Sequence, residues 1–560
     1  MGKRFTVLVG LLLCMIPMRA CTSLIVGKKA SVDGSVIVSY NADSYGLYGF
    51  LYHRNAGKHL PGSKRRINCW DTNEYLGDIP EQEYTYNVVG NMNEHQVTIV
   101  ESTFGGRKEL LDTLRGPGAP KIDYGSLIYI GLERSRTARE AIKVMTDLVA
   151  QYGYASSGES FTIADAEEAW IMDMIGKGPG GHGAVWVAVR IPDDCISGHA
   201  NQSRIRKFDM SDKENVMYSS DVVSFAREKG YYKGPNKDFS FSDAYSPTDF
   251  ESAHFCDARI WSFFRAYNPE INKYQDYIMG KSKEAMPLYI KPNRLLSVNE
   301  ICECMRDHYD NTFMEMAKDA GAGMYESPYR PTPLTFKVGD KLYYNERPIS
   351  TQQTAFTTVA QMRSWFPSWI GGVQWFGTDD ANMIAYTPVY CCTTDIPKCL
   401  AGGTASDIKF SWDSSFWVCN WISNMIYMKY NLMIADLREV QNDLEGMYHK
   451  EQPNVERKAK ELYDDDPQLV QTYLTNYSND CANKTFKRWK KLGEFLLVKY
   501  NDMTVRPVKK NTIGEWEFKK TKFGYGEEPT RVGYPKPMQE DIVKKTGDRF
   551  LVPSENHDKK

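Results

Sequence analysis

Net charge is nearly absent from this chain: 69 Lys and Arg stand against 71 Asp and Glu, a formal charge of −2. That balance gives no sign of a strongly basic protein, so nucleic acid is not expected as the main partner. Histidine is scarce, nine in 560 residues, and paired ligands at zinc spacing are missing. His254 with Cys256, and His308 near Cys304, are read as structural, and neither a metal ion nor a cofactor is expected. There is no phosphate-binding loop, no His-Glu-x-x-His helix and no Gly-x-Ser-x-Gly elbow. Gly176-Lys-Gly-Pro-Gly-Gly181 matches a dinucleotide fingerprint by letter only. A proline lies inside it, and a strand follows where a helix is required. Beyond the first twenty residues no run is long and apolar enough to cross a bilayer, so no stable membrane span is expected.

What remains is ordinary globular composition, 42% hydrophobic and 25% charged. The 13% of aromatics fits a thick core as well as a wide cleft. The first twenty residues read as a leader: Lys3 and Arg4, then an apolar run from Phe5 to Met18, ending at Arg19-Ala20. Removal of residues 1–20 would make Cys21 the first residue of an exported protein, periplasmic or extracellular. Twelve cysteines in such a compartment allow disulfides, with Cys391-Cys392 and Cys399, or Cys302 and Cys304, as candidates that spacing leaves open.

After Cys21 the chain enters β-rich sequence at once. Thr22 to Gly27 and Val36 to Tyr40 flank a turn at Asp33-Gly34 and read as a hairpin. An antiparallel return brings Asn41 and Asp43 back beside Cys21. Thr137-Ala-Arg-Glu140 caps a helix that runs to Gly153. Strand-like runs follow at Phe161 to Ala164, Trp170 to Ile175 and Ala184 to Ile191. The order of hairpins and helices suggests α+β layers rather than a doubly wound parallel sheet. Ser414 to Glu445, Asn454 to Tyr463 and Pro467 to Tyr500 read as helices. The expected organisation is a catalytic domain over 21–505, including a helical region over about 405–505, and a Lys-, Pro- and Gly-rich tail over 506–560.

An N-terminal cysteine carries its own base. The α-amine (~7.7–8.0) and a thiol (~8.5) have neighbouring reference pKa values, so the amine can take the thiol proton near neutrality. Any residue before Cys21 would turn that base into a peptide nitrogen. The competing reading is a lipoprotein, with Cys21 acylated and non-catalytic.

The run Cys21-Thr-Ser-Leu-Ile-Val-Gly-Lys-Lys-Ala-Ser-Val-Asp-Gly-Ser35 resembles the opening of the dipeptidase A family, N-terminal-nucleophile cysteine peptidases related to secernins. Further blocks are similar and in the same order. They are Asn93-Glu94 with Thr98-Ile-Val-Glu-Ser-Thr103 and Gly105-Gly106; Trp186 to Asp194, closing on His199-Ala-Asn201; Asp307-His-Tyr309; and Gly371-Gly-Val-Gln-Trp375 with Tyr386-Thr-Pro388. The resemblance implies a four-layer αββα sandwich of two antiparallel sheets between helix layers. It implies a cysteine-type dipeptidase acting on small peptides through an acyl-enzyme, and a homo-oligomer is compatible with it. By position it makes Cys21 the nucleophile and Asp43 the holder of its amine, with Asn93 and Asn201 in the oxyanion hole. It departs at Tyr40, where the family usually has arginine. Tyr40 and Arg190 are therefore candidates for substrate contact, and Asp173 for the substrate ammonium. An amide hydrolase of the bile-salt or penicillin V type would use the same machinery on another substrate.

Overall fold

A computed structural model describes residues 21–403 and 405–553. The leader expected over 1–20 lies outside the described residues. Along the chain the strands of two large sheets are β1 (Ser23–Val26), β2 (Val36–Asp43), β3 (His53–Arg54), β4 (Val88–Val89), β5 (Met92–Asn93), β6 (Thr98–Gly105), β7 (Gly158–Ala164), β8 (Ala169–Gly176), β9 (Ala184–Ile191), β10 (Ile196–His199), β11 (Val216–Tyr218), β12 (Tyr289–Ile290), β13 (Thr354–Met362), β14 (Val373–Thr378) and β15 (Thr387–Tyr390). The first sheet has the order β12-β10-β1-β2-β13-β14-β15, and the second β11-β9-β8-β7-β6-β5-β4-β3. Neighbouring strands pair antiparallel. The expected α+β class with antiparallel sheets is what the chain adopts.

Period-two alternation explains how the sheets are used. On β2, Val36, Val38, Tyr40 and Ala42 join one apolar cluster with Met92, Val100, Ile171 and Val187 of the second sheet. Ile37 of the same strand faces a different cluster, formed with helices. On the second sheet, Ile99, Phe161, Trp170 and Met172 pack instead with helices α1 (Tyr124–Arg134) and α2 (Ala138–Tyr152). Strands covered on both faces bury every residue, as β1 and β2 do, and the polar residues Ser39, Asn41 and Asp43 on the second face of β2 are buried with the rest.

The hairpin expected from Cys21 onward is present and longer than its apolar run suggested. Asp33 shapes its turn by accepting bonds from the Ser35 amide and hydroxyl at 3.1 and 2.6 Å, and Gly34 takes φ +88°. Ile25 pairs with Val38 and Val26 with Ile37, and a bridge joins Thr22 to Asn41. One step further along that register, Cys21 stands opposite Ala42. Strand β2 continues through Asn41 to Asp43 because β13 pairs along its whole length. A bulge between Thr354 and Phe356 interrupts that ladder beside Asp43. Bulges re-aim side chains, and here Thr354 is turned onto Asp43.

Helix α3 (Ala258–Tyr267) packs under the first sheet. The helical region consists of α4 (Ser415–Tyr427), α5 (Tyr430–Asp465) and α6 (Pro467–Lys499). The sequence predicts a break near Pro453, but α5 runs through it. A proline there forfeits one backbone hydrogen bond. Burial of Leu444 and Tyr448 before it, and of Val455 and Ala459 after it, holds the helix straight enough to continue. The Tyr448 hydroxyl also donates to the Cys481 carbonyl of α6 at 3.0 Å. Beyond residue 505 the chain forms short two-stranded ribbons and a helix, α7 (Lys536–Thr546), with no buried residue. None of the described helices is long and apolar enough to cross a membrane.

Candidate active site

Cys21 is 3% exposed and sits at the head of β1, in the apolar cluster between the sheets. Its thiol donates to Oε1 of Glu101 at 3.4 Å and lies 3.5 Å from the Tyr40 hydroxyl. Tyr40 donates to the same Glu101 oxygen at 2.6 Å. Glu101 belongs to β6 of the opposite sheet. Its reach toward Cys21 is possible because β5 pairs with β6 only at Thr98. Beyond that point β5 no longer covers the edge. Burial pushes the Cys21 thiol well above the ordinary cysteine range, and the charges of Glu101 and Asp43 push the same way. Hydrogen bonds from Tyr40 and the Asp43 backbone oppose them. The resting sulfur is therefore a thiol, and a base must take its proton before it can attack.

Asp43 is fully buried. Oδ2 faces Nη2 of Arg347 at 3.0 Å, and Oδ1 accepts from the Thr354 hydroxyl at 2.7 Å. Burial raises its pKa to about 6, against the opposing pull of Arg347 and Thr354. A carboxyl raised in the folded state favours the fold below its unfolded pKa of ~3.9, and that contribution is lost as pH rises through the folded value. At neutral pH its charge is a cost to stability.

Arg259 joins Cys21 to Asn201. Its guanidinium is fully buried, and all five donors are used. Nη1 bonds the Cys21 carbonyl (2.9 Å) and the Thr22 hydroxyl (2.7 Å). Nη2 bonds the Ala200 carbonyl (3.0 Å) and Asn201 Oδ1 (2.8 Å). Nε bonds the Phe255 carbonyl at 2.9 Å. Asn201 itself is left-handed, with φ +63°, and its Nδ2 donates to the Thr103 carbonyl at 2.7 Å.

A polar relay fixes the backbone there. The Asn201 amide donates to Ser102 Oγ (3.1 Å), which contacts His199 Nδ1 (2.6 Å). His199 Nε2 contacts Thr162 Oγ1 (2.8 Å), which contacts Ser23 Oγ (3.0 Å). Burial and the nearby arginines lower the His199 pKa to about 3, so this histidine is a neutral spacer between the sheets and not a proton carrier near pH 7. Asn201→Gly removes the amide while keeping the left-handed backbone. It is expected to lower kcat by roughly 10²–10³-fold if Nδ2 supports the transition-state oxygen; steady-state kinetics on a peptide substrate measure this.

Three other expected site residues have different duties. Asn93 lies on β5 with its neighbour Met92 in the inter-sheet cluster, so alternation turns Asn93 the other way. Its Nδ2 donates to the carbonyls of Leu132 and Ser135, each at 2.7 Å. Its Oδ1 accepts from the amides of His95 and Val97, each at 3.0 Å. Its side-chain capacity is spent on closing a turn and anchoring the end of α1. Asp173 accepts from Ser160 (2.6 Å), Ser203 (2.7 Å) and the Ile205 amide (3.2 Å). Its pKa is raised to about 6 by burial. It clamps the segment after Asn201 to β8. Arg190 bonds Glu168 (3.0 Å) and Asp193 (2.5 Å), a structural ion-pair cluster. Among the described residues, Cys302, Cys304, Cys391, Cys392 and Cys399 are free thiols, and no group of three or more His, Cys, Asp or Glu could hold a metal ion.

Glu101, Arg259, Arg347 and Thr354 escaped the sequence reading. Two of them left a signal. Glu101 is the only charge in the eight-residue strand TIVESTFG, and Arg259 lies beside Ile260, Trp261, Phe263 and Phe264 on an apolar helix. A charge in such a setting needs buried partners. Arg347 precedes β13 in irregular chain and has no such mark.

A thiol held at the head of a strand, with a buried carboxylate and an asparagine assembled around it, is the site of a cysteine hydrolase. The family model for Peptidase family C69 matches residues 20–443, and the chain belongs to that family. A "Probable dipeptidase" of Latilactobacillus sakei is 28% identical over 399 residues, covering 68% of this chain and 76% of the relative. One of Salmonella dublin is 27% identical over 411 residues, covering 69% and 84%. "Dipeptidase A" of Lactobacillus helveticus is 25% identical over 415 residues, covering 71% and 80%.

Proposed function

We propose that this chain is a cysteine-type dipeptidase that works through an acyl-enzyme on Cys21, after the leader over 1–20 has been removed during export. The observation that carries this reading is Cys21 itself. The family match begins at residue 20, and the thiol is already gathered with Asp43, Asn201 and Arg259. Relatives named as dipeptidases supply the substrate class. Two sheets sharing one apolar cluster, with helices against their other faces, support the αββα sandwich of N-terminal-nucleophile hydrolases.

The steps follow from the groups present. The free α-amine of Cys21 takes the thiol proton, and Asp43 holds that amine. The thiolate attacks the peptide carbonyl, forming the C–S bond, and the oxyanion is met by the amide of Asn201. Arg259 keeps the Cys21 carbonyl and Asn201 in register. The ammonium returns its proton to the departing nitrogen as the C–N bond breaks. Water, deprotonated by the same amine, then cleaves the thioester and releases the first amino acid. A lipid-anchored reading does not suit a cysteine that is 3% exposed, followed by a fully buried Thr22.

The mature, active protein is expected to begin at Cys21 with an unmodified amine. N-terminal sequencing together with intact mass tests this. An active sample that starts at any other residue, or that carries a blocked Cys21, would sink the mechanism.

A further inference from the structure

We infer that Glu101 is the anchor for the free α-ammonium group of the substrate, and that this anchor limits the acyl half of the substrate to a single amino acid. The inference rests on the dipeptidase reading and adds its specificity determinant.

The argument is one of distance. In a dipeptide the attacked carbonyl carbon and the α-nitrogen share one Cα, so they lie only about 2.5 Å apart. A thiolate in attack position stands roughly 3–3.5 Å from that carbon. The ammonium of a one-residue acyl group must therefore sit within a few ångströms of the sulfur, wherever the rest of the substrate lies. A carboxylate able to pair with it has to touch the same small volume. Glu101 Oε1, 3.4 Å from Cys21 Sγ, occupies that volume.

Tyr40 completes the device. It is a neutral donor to the same Glu101 oxygen, at 2.6 Å, so it orients the carboxylate without cancelling its charge. A substrate longer by one residue at its amino end would replace the ammonium with a neutral amide. That exchange removes the attraction between full charges and puts an acyl group beside the buried carboxylate. The charge of Glu101 also helps hold the Cys21 thiol in its protonated form. An arriving ammonium offsets that charge, so the correct substrate eases formation of the thiolate that attacks it. Discrimination should then show in kcat as well as in KM.

The test compares alanyl-alanine with its desamino analogue, propionyl-alanine, in the wild type and in Glu101→Gln. The glutamine keeps an acceptor for Tyr40 and removes the charge. The wild type is expected to favour the free dipeptide by at least about 10²-fold in kcat/KM, in keeping with loss of a buried polar partner. In Glu101→Gln that preference should fall below about tenfold. In the wild type the preference should also decline above about pH 8, where the dipeptide ammonium loses its proton. If both substrates slow by the same factor in Glu101→Gln, Glu101 merely positions Tyr40 and Cys21, and the inference is overturned. Should that variant fail to show a cooperative melt, the wild-type pH series decides alone, and a preference that stays flat to pH 9.5 overturns it. A wild type that cuts both substrates equally overturns the anchor while leaving the dipeptidase reading standing. A wild type that cuts no dipeptide overturns both.

Discussion

Cys21→Ala is expected to lower dipeptide hydrolysis by roughly 10⁴–10⁶-fold, the scale seen when a nucleophile is removed from a catalytic unit, with stability changed by only about 1 kcal/mol. The small structural effect follows from the site. Tyr40 and Glu101 are already bonded to each other, so loss of the thiol strands no polar group. The main chain at residue 21 keeps its bond from Arg259. The measurement is kcat/KM on a free dipeptide, paired with a thermal melt, on protein whose first residue has been verified as residue 21. Wild-type turnover in that sample would move the chemistry to another residue.

Arg259 should show the opposite pattern, a large effect on both stability and rate. Arg259→Met strands five buried acceptors and is expected to cost about 3–5 kcal/mol. Arg259→Lys keeps the charge, but one ammonium cannot span the Cys21 carbonyl, Asn201 Oδ1 and the Phe255 carbonyl at once. It is expected to fold and to lose on the order of 10²-fold in kcat, since a displacement of about an ångström between nucleophile and oxyanion donor is enough for that. Denaturant melts and steady-state kinetics on the two variants separate the effects. A lysine variant with wild-type kcat would show that the arginine serves packing alone.

These outcomes turn on contacts of unequal visibility in the sequence. Cys21, the hairpin after it and the return to Asp43 are local: about twenty residues of alternating pattern with an Asp-Gly turn bring nucleophile and carboxylate together. The capped helix from Thr137 to Gly153 was legible for the same reason, and Thr137 Oγ1 does accept from the Glu140 amide at 3.2 Å. Asn201 could be pointed to by resemblance, but its left-handed backbone and its bond to Arg259 depend on residues 58 positions away. Asn93 and Asp173 are harder to read, because a polar residue in a family-like block, or in a buried strand, looks equally suited to chemistry and to bracing. Only the count of their hydrogen bonds separates the two.

The sequence by itself determined the α+β class, the antiparallel strands and the long helices at the C-terminal side, and it singled out Cys21 as the candidate nucleophile, because each rests on periodicity or on residues near one another in the chain. Tertiary structure decided the rest. The partners of the thiol come from β6, 80 residues on, and the partner of Asp43 from 304 residues on. Which face of a strand carries a side chain inward, and whether its polar atoms are already satisfied when it arrives, depends on what the opposite sheet and the helices present. Electrostatic pairing depends on distance in space and on the local dielectric and takes no account of separation along the chain, so Glu101 and Arg259 became site residues only when the two sheets closed on each other.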